Sequence, residues 1–528
     1  MTTLGQHLIA LLAAHGVSVI FGIPGVHTAE AYRGLPGSGI RHVTPRHEQG
    51  AGFMADGYAR VTGEPGVCLV ITGPGLSNVA TAMLQARADS VPMLVITSTL
   101  PIDDLGAGRG GLHEMPDQRA FAAAVALTTR TVGSAAELEE TLARAFAIFR
   151  SARPGPVHLE IPRDRFAAPV EVGPIRPPAH VRPPVPDAAA IGEAVAMLQT
   201  SASPVVIVGG GARRAARGAL ALAERLDCPL LATINARSAL PLGHPLVVPC
   251  GVNVEAAQAL VDDADLTLAF GTEMGPTDYR AWSSGKTMAP RRLVRVDIDP
   301  EQLFRSARPD LALVGDAAGT IDLLLEALGP GAGSGDGTRR AAAARAAAEA
   351  SLAPDQRALT GVLDAVREAA PTAALVGDST QLVYAGNHAF AAGDRGHWFN
   401  AATGFGTLGY ALPAGLGARL GRPEHPVIVL IGDGGLQFVL GELGTLAELG
   451  GTVVVLVWNS NGYLEIRRHM EAQGIPPEGV ELAAPDFVMI AGAYGIAAEA
   501  LDGPDGVGEA VARAVARGGP TLIEVRGV

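Results

Sequence analysis

Two apolar runs in the last quarter of the chain, each ending in a glycine-rich polar break, constrain the fold more than any other stretch. Val427-Ile-Val-Leu-Ile431 runs into Gly432-Asp433-Gly434-Gly435, and Val453-Val-Val-Leu-Val-Trp458 runs into Asn459-Ser460-Asn461-Gly462. Between them Leu436, Leu440, Leu443, Leu446 and Leu449 keep a helical period until Gly450-Gly451 stops it. Strand, helix, strand reads as a βαβ unit, in which both strands point the same way. The Asp433 and Asn459 loops are therefore expected side by side at the carboxyl edge of a parallel sheet, where open α/β sheets take ligands. A carboxylate, side-chain oxygens and flexible backbone there suit a hard divalent cation that bridges to phosphates.

Gly-Asp-Gly alone also describes a turn that closes a buried strand. The second loop adds weight, because Asp433 and Ser460 lie 27 positions apart with one helix and one strand between them. This arrangement resembles the thiamine diphosphate motif of 2-oxo acid decarboxylases and acetohydroxyacid synthases, Gly-Asp-Gly followed at such an interval by an Asn-Asn pair. In that family the Asp and the second Asn, with a nearby backbone carbonyl, hold Mg²⁺ against the cofactor's diphosphate. The resemblance implies Asp433 as a metal ligand and Gly462 or its neighbour as the carbonyl donor. The second ligand is either Ser460, which stands where the second Asn is expected, or Asn461. Gly432, Asp433, Gly434, Gly435, Asn459 and Tyr463 complete the implied cofactor contacts in this half.

At 528 residues the chain is too long for one core, and the length prior gives about three to four domains. With 48% apolar and 18% charged residues it is a well-buried globular chain. A net charge of −13 without a basic run argues against nucleic acid. No uninterrupted apolar stretch reaches membrane-spanning length, and the N-terminus lacks a signal-peptide layout, so a cytoplasmic location is expected. Cys68, Cys228 and Cys250 are far apart with no CxxC pair, against a disulfide framework or structural zinc. Lys286 is the only lysine, which leaves Schiff-base chemistry to one residue in a polar loop.

Residues 1–165 alternate helical and strand-like runs, as in a doubly wound sheet. Within them Arg46-His-Glu-Gln-Gly-Ala51 and Gly57-Tyr-Ala-Arg60 are similar to the catalytic-glutamate segment of the acetohydroxyacid synthase group. A lone Glu48 would read as an ordinary acid in a helix's first turn. The resemblance instead implies that Glu48 hydrogen-bonds the cofactor's aminopyrimidine N1′. Such an acid needs an apolar site in which its proton is shared. Gly22-Ile-Pro-Gly-Val-His27 resembles the substrate-facing loop, with Gly25 at the cofactor and Val26 and His27 toward substrate. Thr72-Gly-Pro-Gly-Leu-Ser-Asn78 resembles the turn near the pyrimidine, with Pro74 and Asn78 as contacts. Gly111-Leu-His-Glu-Met-Pro-Asp117 falls where decarboxylases carry a histidine pair, and His113 stands there. His27 and His113 are either polar loop residues or, facing the cofactor, candidates for catalytic proton transfer.

Residues 166–190 are proline-rich and read as a linker. The region 191–330 is a second α/β unit; Gly209-Gly-Gly211 falls short of a dinucleotide fingerprint and Gly285-Lys-Thr287 of a P-loop, so both read as turns. In the resembling family this middle unit binds FAD in the synthases and nothing in many decarboxylases, leaving FAD undecided. Residues 331–354 form a Gly-rich linker and an alanine-rich helix, and 355–528 holds the opening motif. Gly404-Phe-Gly-Thr-Leu-Gly409 fits GxGxxG but lacks the acid that a dinucleotide site places at a strand end. It resembles the family's segment in which the residue at Leu408 wedges beneath the cofactor, with Thr407 beside it. The chain stops at Val528 after the strand Thr521 to Val525, an ending expected to leave no long C-terminal lid.

The resemblance covers nearly the whole chain. The fold it implies is α/β: three doubly wound domains, two binding thiamine diphosphate (pyrimidine and diphosphate) and flanking a Rossmann-like middle domain. It also implies a homodimer or dimer of dimers in which Glu48 of one subunit meets Asp433 of another. The implied reaction adds a C2 carbanion to a 2-oxo acid, loses CO₂ into the thiazolium, and protonates or ligates the enamine. Asn461 to Ile466 begins a helix whose first turn, in the resembling family, lines the substrate pocket, and Glu465 falls there. It is either a solvated helix-start acid or, with Glu273 or Asp278, the receptor of a cationic tail such as guanidinium. Leu112 to Gln118 resembles the 5-guanidino-2-oxopentanoate decarboxylase branch, so decarboxylation of that acid is the leading expectation. An acetolactate synthase-like carboligase is the alternative. A non-catalytic relative that kept the fold, with Ser460 as its symptom, is the reading from another class.

Overall fold

The structure is a computed structural model that describes residues 2–175, 179, 181–278, 288–330, 335–394 and 396–528. The Gly285-Lys-Thr287 turn and residues 331–334 of the Gly-rich linker lie outside the described residues. Three six-stranded sheets organise the chain, each parallel throughout. The first runs, in spatial order, Arg41–Val43, Val19–Phe21, Gly66–Val70, Met93–Thr99, Pro156–Pro162, Thr128–Thr131. The middle one runs Val247–Gly251, Leu230–Ala232, Pro204–Val208, Leu266–Phe270, Leu293–Asp297, Leu311–Val314. The last runs His397–Asn400, Ala374–Gly377, Val427–Gly432, Val453–Asn459, Pro520–Arg526, Ala497–Asp502. The fold is α/β with three doubly wound units, as the resemblance implied.

Helices cover both faces of these sheets, which is why the central strands read as continuous apolar runs. Val453–Asn459 is buried along its whole length. Val427, Val429 and Ile431 enter a core shared with Val19, Phe21, Cys68 and Val70 of the first sheet. Ile428 and Leu430 point to the opposite face, with Leu375, Val454 and Leu456. The first and last units are thus joined by one continuous core, and at its centre the helices Glu48–Thr62 and Ala411–Gly421 lie in contact. Glycine permits the approach: a Cβ at Gly57 would overlap the Ala414 carbonyl oxygen, and one at Gly417 would overlap that of Met54. A buried polar pin completes the joint, in which Asp56 takes Arg60 Nε at 2.6 Å and the Tyr410 hydroxyl, while Arg60 also pairs with Asp89 at 2.7 Å.

Three local expectations change. The leucine-bearing run after the first motif is two helices, Asp433–Gln437 and Glu442–Leu449, broken at Phe438 to Gly441, where glycine weakens the helix and the Arg46 side chain lies against Gly441. Asp433 is also the first helical residue, with no loop between it and the strand. Gly210–Ala215 is a 3₁₀ stretch that leads into the helix Ala216–Leu226, more than a simple turn. Within the proline-rich segment Pro169–Val170 pairs antiparallel with Thr2–Thr3, and the alanine-rich helix Gly337–Ala350 lays Ala341, Ala344 and Ala348 into the middle core beside Val205 and Leu260. Among the described residues no helix is long and apolar enough to cross a membrane.

Candidate active site

The strands Val427–Gly432 and Val453–Asn459 pair with Gly432 opposite Trp458, so Asp433 and Asn459 leave the sheet together. Asp433 is buried; its Oδ2 accepts the Gly462 N–H at 2.9 Å and its Oδ1 the Ser460 N–H at 3.2 Å. The Ser460 hydroxyl lies 3.5 Å from Asp433 Oδ1 and 3.3 Å from the Gly462 carbonyl oxygen. A carboxylate, a hydroxyl and a carbonyl thus converge, and that donor set fits a hard cation such as Mg²⁺. Among the described residues no group of three or more His, Cys, Asp or Glu could hold a metal, so protein ligation here would rest on this mixed set. Burial pushes the Asp433 carboxyl above its usual range, opposed by the amides it accepts.

The other predicted residues of this half are close by but differ in engagement. Asn461 takes a left-handed φ of 56° and is exposed, with its N–H on Asn459 Oδ1 at 3.0 Å. Asn459 is tied sideways, its Nδ2–H donating to Glu524 Oε1 at 2.7 Å. The Tyr463 ring lies over Gly434, where a Cβ would come within 2.7 Å of Cε1. Behind Gly435 stands Asp378, a fully buried acid that accepts the N–H groups of Tyr410 at 2.8 Å, Ala411 at 3.2 Å and Ser379 at 2.8 Å. Burial pushes it up to about 6. It fixes the exit of the Gly404 to Gly409 loop, on which Leu408 is half-buried and the Thr407 N–H reaches Gln85 Oε1 at 3.4 Å.

In the first unit the strand ends assemble a second cluster. Glu48 is the first residue of its helix, and its Oε2 accepts the Asn78 amide N–H at 2.9 Å. Asn78 comes from the helix Pro74–Ala88, which begins at the predicted Pro74. Gly25 binds Thr28 Oγ1 through its N–H at 3.1 Å, and next to it Val26 is 76% exposed. His27 is buried, with Nδ1 3.1 Å from Thr72 Oγ1 and Nε2 3.2 Å from an Arg163 guanidinium nitrogen. Since guanidinium can only donate, Nε2 is the acceptor and the proton sits on Nδ1. Burial, then the charges of Arg163 and His113, hold His27 below its ordinary range, so the imidazole is neutral. His113 meets the edge of that ring at 5.4 Å between centroids.

Other predicted pairings make no direct contact within one chain. No hydrogen bond or ion pair among the described residues joins Glu48 to Asp433. Glu465 opens the helix Leu464–Ala472 partly exposed and lies 3.5 Å from Arg468. Glu273 is paired with Arg153, and Asp278 is partly buried, its carboxyl pushed up to about 7 by desolvation and then by the Glu273 charge. Both belong to the middle unit, and among the described residues no hydrogen bond or ion pair joins either to Glu465. A cavity of about 840 Å³ opens at the carboxyl edge of the middle sheet, lined among others by Arg60, Gly211, Arg213, Asn235 and Asp297. Sequence reasoning missed Asp378, Arg163 and Glu442. The available signals were an acid or cation directly after a buried strand for the first two, and a lone acid inside the apolar run Phe438 to Leu446 for the third.

Three family models match: the thiamine pyrophosphate enzyme N-terminal binding domain over residues 2–121, the central domain over 191–328, and the C-terminal binding domain over 377–525. The chain is 45% identical to the probable 2-ketoarginine decarboxylase AruI of Pseudomonas aeruginosa, across 99% of this chain and 94% of that one. It is 31% identical to the acetolactate synthase large subunit of Parasynechococcus marenigrum, across 98% and 86%. Against the acetolactate synthase isozyme 1 large subunit of Escherichia coli the identity is 29%, across 99% and 93%. With three family models spanning most of its length, this chain belongs to the thiamine pyrophosphate enzyme family.

Proposed function

We propose that the protein is a thiamine diphosphate- and Mg²⁺-dependent decarboxylase of a 2-oxo acid with a cationic tail, 5-guanidino-2-oxopentanoate (2-ketoarginine). The observation that carries the reading is the mixed oxygen cluster of Asp433, Ser460 and Gly462, together with the similarity to a probable 2-ketoarginine decarboxylase over nearly the whole chain. In this reading Asp433 and the Gly462 carbonyl hold the metal, and Ser460, not Asn461, gives the third protein oxygen. The bound cofactor supplies an electron sink for the pair released with CO₂. Glu48, oriented by Asn78, shares a proton with the pyrimidine, and Leu408 supports the cofactor from below. His27, neutral and capped by Arg163, orients the substrate more readily than it moves a proton, and His113 stands beside it. Glu465 receives the guanidinium. In this reading Glu48 of one subunit and Asp433 of another complete each site, in a homodimer or a dimer of dimers.

A synthase-like carboligation of pyruvate is the second reading, favoured by the similarity to acetolactate synthases. FAD in the middle-unit cavity belongs to that reading. Product analysis separates the two. Incubated with cofactor and Mg²⁺, the protein is expected to convert the guanidino acid to 4-guanidinobutanal and CO₂. Acetolactate from pyruvate as the dominant product would replace this reading with the second.

A further inference from the structure

We infer that Glu442 is a positioning residue that fixes the turn carrying Glu48, an assignment that rests on Glu48 facing the cofactor's pyrimidine. Glu442 opens the helix Glu442–Leu449 of the last unit and reaches across to the first. Its Oε1 accepts the backbone N–H of Arg46 at 2.9 Å and of His47 at 3.2 Å, and its Oε2 accepts the Thr445 hydroxyl at 2.7 Å. The two amides lie directly before Glu48, at the end of a helix where N–H groups lack intrahelical partners. Gly50 makes room for the contact, since a Cβ there would overlap Oε1. Arg46 returns the grip by pairing with Glu448 on the same helix, its stem lying against Gly441.

The acid is 2% exposed, and burying a carboxylate is unfavourable unless donors satisfy it. Burial pushes Glu442 above its usual range, and the Thr445, Arg46 and His47 donors oppose that shift. A leucine would fill the space more cheaply. What an acceptor of this length adds is control of the backbone at residues 46 and 47, hence of where the helix starts. Asn78 holds the outer end of the Glu48 side chain and Glu442 holds its root. Both ends must be set for the carboxyl to meet a ligand within hydrogen-bond reach.

The test pairs two readouts in the full-length protein. Amide hydrogen exchange on the cofactor-free protein should show the Arg46 and His47 amides at least tenfold less protected in Glu442→Ala. With Mg²⁺ and thiamine diphosphate added, deuterium exchange at the thiazolium C2, counted by proton NMR after acid quench, should slow at least tenfold while cofactor affinity stays within threefold. Glu442→Asp keeps the buried charge but falls one methylene short of both amides, and it decides the matter in the same direction where the alanine variant does not fold. Glu442→Gln keeps an oxygen at the right reach and should restore both readouts. C2 exchange at the native rate in the alanine or aspartate variant overturns the assignment, as does a glutamine variant that restores neither readout. Glu48→Gln is the control for the underlying reading: if its C2 exchange is native, the role of Glu48 is wrong, whatever Glu442 does.

Discussion

The Ser460 hydroxyl stands 3.5 Å from Asp433 Oδ1, across two neighbouring parallel strands, and turns the same oxygen toward the Gly462 carbonyl. The short serine side chain reaches the oxygen cluster because the backbone N–H groups of Ser460 and Gly462 both lie on the Asp433 carboxylate. In the proposed metal site Ser460→Ala removes one neutral ligand. Mg²⁺-dependent thiamine diphosphate affinity, measured by titration calorimetry, should fall on the order of tenfold, the low end of what losing one supporting group costs a metal site. Asn461→Ala should leave it within about twofold. The reverse ranking would make Asn461 the ligand.

Glu465 lies at a helix start with one weak neighbour, Arg468. A charge-assisted hydrogen bond contributes about 1.5–3 kcal/mol, and partial exposure places this one at the low end. Glu465→Gln should lower kcat/KM for 5-guanidino-2-oxopentanoate about tenfold and leave an uncharged 2-oxo acid of equal length unaffected. An equal loss on both acids would remove the tail-receptor role.

His158 is buried in the first sheet with both ring nitrogens on hydroxyls, Thr97 at 2.9 Å and Thr129 at 2.7 Å. Burial drives its pKa from the ordinary 6.5 down to about 3. The unfolded chain then takes up a proton below 6.5 that the folded chain refuses. The stability present above 6.5 is lost as pH falls toward 3, at up to about 1.4 kcal/mol per pH unit. His158→Gln should flatten the dependence of Tm on pH between 6.5 and 5. Parallel curves for the two proteins would contradict the neutral, buried imidazole.

Gly417 and Gly361 are both helical glycines, but only the first has no space for a Cβ. Gly417→Ala should destabilise by about 1–3 kcal/mol through overpacking at the joint with Met54. Gly361→Ala meets nothing within 4 Å and should stabilise by up to about 1 kcal/mol through helix propensity. Thermal unfolding of the two variants checks the sign of each.

The parallel sheets were legible because strands covered on both faces leave continuous apolar runs, and Asp433 was legible because it and the glycines around it interrupt such a run. Glu48 stood out through the long motif around it. The supports of these residues were not legible. Glu442 meets Arg46 and His47 across separations of 396 and 395 residues, through backbone amides that carry no side-chain signature. Asp378 likewise spends its oxygens on main-chain N–H groups. The pairing of Glu273 with Arg153 was equally out of view, since the two stand 120 residues apart and meet only in the fold.

The most direct measurement is CO₂ release from 5-guanidino-2-oxopentanoate by the purified protein, with and without thiamine diphosphate and Mg²⁺, set against pyruvate under the same conditions. Release that requires both additions, with kcat/KM for the guanidino acid at least tenfold above that for pyruvate, is the predicted result. No release from the guanidino acid with cofactor bound, or a preference for pyruvate, would contradict the account.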